Sequence, residues 1–191
     1  MRKQVLVTAG LAVVIALGTY MVAENTGKES TSTTSKSTSL STSAADTQTI
    51  KQLVQKLSSR SLTAESASIS STQLTVKESD GKTASYSLPK DEFFVSIAPY
   101  VNKTHPCATH SLSGCQGEMV EEEFQISVQD TDGNVVMDNE TVKSQPNGFI
   151  DLWLPRDKTY HVTIEQDGKK AASDISTFEQ NDTCVTTMQL G

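Results

Sequence analysis

The sequence predicts an α+β fold that is mainly β, with a small N-terminal helix-plus-hairpin part followed by an antiparallel, β-sandwich-like C-terminal domain. Three observations predict it. A single apolar stripe at helical spacing lies near residue 50, period-two alternation recurs from residue 74 to the C-terminus, and Asp-Gly turns at 80–81, 132–133 and 167–168 separate the alternating runs. Strands at this spacing, joined by short turns, favour a small antiparallel sandwich.

The chain starts with two basic residues, Arg2 and Lys3, and then an apolar run from Val5 to Ala23. That is the layout of an export signal. The run is close to the ~20 residues that span a bilayer, and Met21 stands where a cleavage site prefers a small residue. Residues 1–23 therefore read as a signal peptide or a single-pass membrane anchor. From Ser30 to Ser43 every residue is Ser or Thr except Lys36 and Leu40. Such a stretch buries too little apolar surface to offset its ordering entropy, so residues 24–45 are expected to be a disordered Ser/Thr-rich linker. On either reading the remainder is extracytoplasmic, secreted or tethered to the membrane by the N-terminal segment.

The N-terminal part, residues 46–100, opens with a helix in which Asp46 is the expected N-cap and Ile50, Leu53, Val54 and Leu57 share one face. After a polar patch, QLTVKES and TASYSLP flank Asp80-Gly81 as a β-hairpin, with Leu74 and Val76 answering Tyr86 and Leu88. EFFVSIAPYV is apolar enough for a buried strand or short helix, and Pro99 ends it.

The β-rich domain, residues 101–191, alternates from Glu123 onward. Phe124, Ile126 and Val128 precede the Asp130-Thr131-Asp132-Gly133 turn. That turn resembles a calcium loop but lacks the remaining ligands, so an ordinary turn is expected. FIDLWLP is apolar on both faces, as a central strand would be. Tyr160, Val162 and Ile164 alternate again, Asp167-Gly168 returns the chain through KKAASDI, and CVTTMQL places Cys184, Thr186, Met188 and Leu190 on one face of a last strand.

The full chain carries a formal charge of −7. Residues 1–23 hold two basic and no acidic residues, so the rest has 14 basic against 23 acidic residues and a charge of −9. This argues against nucleic acid and anionic membrane surfaces as partners and is compatible with cations.

Two of the three cysteines and two of the three histidines fall between His105 and Cys115. Cys107-x7-Cys115 is neither the Cys-x-x-Cys of a thioredoxin-like site nor half of a zinc ribbon. An odd cysteine count outside the cytoplasm points to a reactive thiol, an intermolecular bond or a metal. If the fold brings Cys184 to the other two, three thiolates converge, a soft donor set that selects Cu(I) or Zn(II). His105 and His110 bracket Cys107 and are candidates to complete a metal's coordination or to hydrogen-bond its ligands. His161 alternates away from the apolar face and is expected at the surface. Glu118 and Glu121 to Glu123 are expected as a solvated acidic patch. A structural Cys107–Cys115 disulfide, with Cys184 a buried thiol, is the competing account of the same residues.

The blocks FFVSIAPYVNKTHPCATHSLSGCQGEM, NGFIDLWLPRDKTYHVTI and ISTFEQNDTCVTTMQL resemble the CueP family of exported, periplasmic-type copper-binding proteins, over a span from about residue 46 to the C-terminus. The resemblance implies copper bound by three cysteines, which fall here on Cys107, Cys115 and Cys184. It further implies reduction of Cu(II) to Cu(I), hand-over to an exported superoxide dismutase or other copper acceptor, and a homodimer. The expectation is a copper-binding protein or chaperone with Cu(II)-reducing activity. The rival readings are a Cys3His zinc-binding protein and a stalk-tethered surface interaction module whose cysteines form a structural disulfide. A cysteine-nucleophile enzyme is disfavoured by the lack of a nucleophile elbow or an orienting third group.

Overall fold

The computed structural model describes residues 44–191, so the expected export segment and nearly all of the expected Ser/Thr linker lie outside the described residues. The chain opens with helix α1 (Ala44–Ser58). Ile50, Val54 and Leu57 are buried and Leu53 is half-buried, the stripe that the spacing predicts. The helix begins two residues before Asp46, which sits inside its first turn and is not the N-cap.

Strands β1 (Ser66–Ile69), β2 (Gln73–Lys77) and β3 (Thr83–Ser87) follow as an antiparallel meander. Leu74 lies opposite Tyr86 as expected, but Val76 faces Ala84, and Leu88 lies beyond the strand, where its N–H donates to Thr72. Gly81 takes the left-handed conformation (φ +84°) that closes the hairpin. EFFVSI resolves as a strand, β4 (Glu92–Ile97).

A two-residue strand, β5 (His110–Ser111), joins the edge of β1. Strands β6 (Glu123–Asp130) and β7 (Val135–Lys143) form a hairpin, followed by β8 (Ile150–Pro155), β9 (Thr159–Gln166) and β10 (Lys169–Ser176). Asp167 and Gly168 both have positive φ (51° and 77°) between the paired residues Gln166 and Lys169, the two-residue hairpin geometry that suits twisted strands. At the β6–β7 turn, Asp130 accepts hydrogen bonds from Asp132 N, from the Asn134 backbone and side chain, and from Lys158 Nζ. The Lys158 ammonium, the first cause, holds the Asp130 carboxyl well below the carboxylate range. The Asp130 carboxylate is thus taken up by N–H groups of the turn and by Lys158.

The expected seven-residue last strand is regular only over β11 (Cys184–Val185), with an isolated bridge from Gln189 to Tyr100. Burial still alternates along it, with Cys184, Thr186, Met188 and Leu190 buried and Thr187 and Gln189 exposed, but the four do not share one face: Cys184 packs with Ala98 and Phe149, whereas Met188 and Leu190 pack with Phe93 and Phe124. It runs parallel to β4.

The strands form three sheets, ordered β3-β2-β1-β5, β10-β9-β6-β7 and β11-β4-β8. The last explains the two-faced apolar run in β8. On one face Phe93, Val95, Ile97, Leu152 and Leu154 pack against Phe124, Ile126, Val128, Tyr160, Val162 and Ile164, which makes the sandwich. On the other, Phe94 and Trp153 join the core under α1, with Ile69, Leu74 and Leu112. FIDLWLP therefore lies at a sheet edge instead of the centre, and its second apolar face answers the helix side. Burial of each such side chain contributes roughly 1.5–3 kcal/mol. A third cluster closes the end of this sheet, where Ala98, Phe149 and Cys184 meet Cys107 and Cys115.

Candidate metal centre

Strand β4 and the segment after it place the cysteines. Backbone hydrogen bonds tie Ser96 N to Thr183 O, Ala98 N to Val185 O and Tyr100 N to Met188 O, so the C-terminal segment runs beside β4 over its whole exit. Cys184 is thereby set level with Ser96. The loop after Pro99 then folds back over it. Ala108 O accepts both Thr183 N and Cys184 N, which draws the Cys107 end of the loop onto Cys184.

Cys115 is brought in by a separate turn. Cys115 N donates to Ser111 O at 2.9 Å, and Ser111 N points at Cys115 Sγ at 3.4 Å. Two residues on, Gly117 N donates to Asn147 O at 2.7 Å, and Gly117 lies backbone against backbone on Gly148. A Cβ on Gly117 would stand 2.4 Å from Gly148 O, so this approach requires glycine.

Cys107 and Cys184 are disulfide-bonded, with Cα atoms 5.6 Å apart, and Cys115 is free with its sulfur 3.5 Å from that of Cys107. The disulfide reading of the sequence therefore falls on a different pair: the bridge spans 77 positions and joins the loop to β11, instead of closing the short Cys107–Cys115 loop.

One histidine joins the sulfurs. Donor atoms of Cys107, His110, Cys115 and Cys184 all lie within 4.8 Å of one another, and His105 is not in this set. His110 is fully buried, with its N–H donating to Thr183 Oγ1 and its ring centroid 4.5 Å from that of Phe149. Burial first, and the neighbouring His105 second, push its pKa down to about 4. It is thus a neutral imidazole at neutral pH, the form that donates to a metal. Its Nε2 lies 3.4 Å from Ser96 Oγ, and its Nδ1 is buried with no hydrogen-bond partner among the described residues. A buried, unpaired nitrogen on an imidazole that belongs to a cluster with three sulfurs fits a soft cation as its missing partner. His105, half-buried, lies with its ring centroid 6.3 Å from that of Phe149.

The other methionine, histidine and acidic residues noted in the sequence lie elsewhere. Met188 packs into the sandwich core, and His161 is exposed with Nδ1 2.9 Å from Asp174. Glu118 is exposed yet committed: its Oε2 accepts the N–H groups of Val101, Asn102 and Lys103 at 2.8–3.1 Å. Those backbone donors, with the Asn102 amide, pull its pKa down to about 2.

Two residues that the sequence reading did not single out lie behind His110. Ser96 is fully buried and donates to Asp151, which also accepts from Ser58 at the end of α1. Burial pushes the Asp151 carboxyl upward, against the two hydroxyl donors. A sequence signal existed, because each is a polar residue inside an otherwise apolar buried strand.

The family model described as "Periplasmic copper-binding protein CueP" matches residues 48–189. A solved structure, the crystal structure of S.CueP, is similar with a TM-score of 0.69 and 36% sequence identity, covering 74% of this chain and 88% of that one. No curated protein matches the chain.

Proposed function

The chain belongs to the CueP family of periplasmic copper-binding proteins, and from that premise we propose that it captures Cu(I) outside the cytoplasm through Cys107, Cys115 and Cys184, with His110 as a fourth donor. The observation that carries this reading is the convergence of these four donor atoms within 4.8 Å. Thiolates are soft ligands and favour Cu(I), and the thiolate is the ligating form, so capture displaces protons and weakens as pH falls.

The same sulfurs can supply electrons. Two thiolates each give one electron to a Cu(II) ion and join as a disulfide, so two Cu(II) become two Cu(I). Cys107 and Cys184 are the pair whose bonding supports this assignment, which leaves Cys115 and His110 to hold one Cu(I) while the other is released. Renewed reduction then needs an outside thiol reductant. Transfer to an acceptor, an exported superoxide dismutase or another copper protein, would begin at the half-buried Cys107 and Cys115, because Cys184 is only 3% exposed.

The test is an anaerobic Cu(I) titration of the reduced chain against a chromophoric Cu(I) competitor, beside Cys184→Ser. Tight one-to-one binding that collapses in the variant is expected. Binding that survives unchanged would overturn the three-thiolate site. The same Cys3His donor set would also suit tetrahedral Zn(II). Adding Cu(I) to zinc-loaded protein separates the two, with release of zinc expected.

A further inference from the structure

The cluster does not stop at its donor atoms. A single row crosses the sheet β11-β4-β8: Cys184 stands level with Ser96, and Ser96 with Asp151. The Ser96 hydroxyl donates to Asp151 Oδ1 at 2.5 Å, and Ser58 donates to Asp151 Oδ2 at 2.5 Å. Both carboxyl oxygens are therefore acceptors of buried hydroxyl hydrogens.

A serine hydroxyl carries one hydrogen. With that hydrogen committed to Asp151, Ser96 Oγ can only accept from its other neighbour, His110 Nε2 at 3.4 Å. Nε2 must then carry the imidazole hydrogen, which leaves the lone pair on Nδ1. That is the nitrogen buried without a partner.

We infer that Asp151, acting through Ser96, is a positioning residue that fixes the tautomer of His110 and leaves Nδ1 as the one ring nitrogen with a lone pair free for a metal. The inference rests on the copper reading above for its purpose, but the tautomer itself is a property of the metal-free chain. The arrangement matches the general need of metal-bound histidines for a partner on the other ring nitrogen. It also gives the β4–β8 pairing a role at the site, since a one-residue slip would turn Ser96 and Asp151 to the opposite face.

The test uses the full chain, reduced and metal-free, with ¹⁵N-labelled histidine. Only three histidines contribute signals, and long-range ¹H–¹⁵N correlation reads which ring nitrogen of His110 carries hydrogen. The expected result is a single Nε2–H tautomer in the wild type. Ser96→Ala and Asp151→Asn should convert it to Nδ1–H or to a mixture, while Ser58→Ala, which removes the other hydroxyl from the same carboxylate, should leave it intact. A purely structural role for Asp151 would not separate these variants. In parallel, Ser96→Ala should weaken Cu(I) affinity by about 10–100-fold. A wild type in the Nδ1–H form or a tautomer mixture would overturn the inference without any variant having to fold. So would a tautomer unchanged in both Ser96→Ala and Asp151→Asn. If the wild type shows the Nε2–H form but binds no copper, the copper reading fails and the tautomer lock stands.

Discussion

The sheet β10-β9-β6-β7 and the loop from Ala98 to Glu118 are both organised by β4, but different forces hold them. The sheet offers β4 an alternating row of large apolar side chains from β6 and β9, two paired strands each extended by its own hairpin partner. The loop offers mostly polar groups, and its order comes from individual hydrogen bonds to distant segments: Ala108 to Thr183 and Cys184, Thr104 to Thr186, Gly117 to Asn147. The first arrangement is redundant, because many contacts share the burial. The second depends on a few atoms in one geometry, which suits a site that must offer several donors to one small ion.

The comparison breaks most visibly in the sandwich core. Phe124 is 1% exposed and packs only in that core. Phe124→Ala should cost ~3–5 kcal/mol, seen as a lower urea midpoint with an unchanged slope. Under conditions where the variant is still folded, its Cu(I) affinity should equal that of the wild type. A matching loss of copper affinity would mean that the two regions are not separable.

Gly117→Ala sharpens the comparison from the other side. Its Cβ would collide with backbone, not with a side chain that can turn away. Overpacking of this kind costs ~1–3 kcal/mol, less than the Phe124 change. Yet the displacement falls two residues from Cys115, so Cu(I) affinity should drop well beyond what the small fall in melting temperature would suggest. A competitor titration and a thermal melt on the same sample check it. Unaltered affinity would mean that the Gly117–Gly148 contact does not set the position of Cys115.

The same division decides what the sequence disclosed. Ile50, Val54 and Leu57, the alternation of β6 and β9, and the Asp167-Gly168 turn are local patterns, and each element lies where its pattern puts it. Strand β7 escaped notice because it is an edge strand with mostly exposed residues, and so shows no apolar alternation. β1 lies in a Ser-rich stretch, and β5 and β11 are two residues long, so none carries a countable pattern. Within the cluster, the residue types were readable and the choice between histidines was not. His105 and His110 lie two and three residues from Cys107. The fold chooses between them, by fastening His110 N to Thr183 and seating its ring against Phe149. Ser96 and Asp151 are 55 positions apart and meet only through strand register.

The smallest effect belongs to Glu118, which reads as part of an acidic patch and instead serves as a clip. Its carboxylate gathers three consecutive N–H groups at the point where the loop leaves β4. Because the group is solvent-exposed, little change in global stability is expected from Glu118→Gln; the measurement is hydrogen exchange at Val101, Asn102 and Lys103. The sign of its pH dependence follows from a depressed carboxyl. With a folded pKa near 2, against an ordinary value of 4.5, its stabilising contribution is complete above the ordinary carboxylate range and is lost progressively as pH falls from there through about 2. Protection of the three amides, corrected for intrinsic exchange, should therefore be level above the ordinary carboxylate range, decline gradually towards about pH 2 in the wild type, and be reduced at neutral pH in the variant. Equal protection in the two proteins, with no decline below the ordinary carboxylate range, would mean that the carboxylate is solvated like any surface acid. The loop would then be held by its contacts with the C-terminal segment, with β1 and with Asn147.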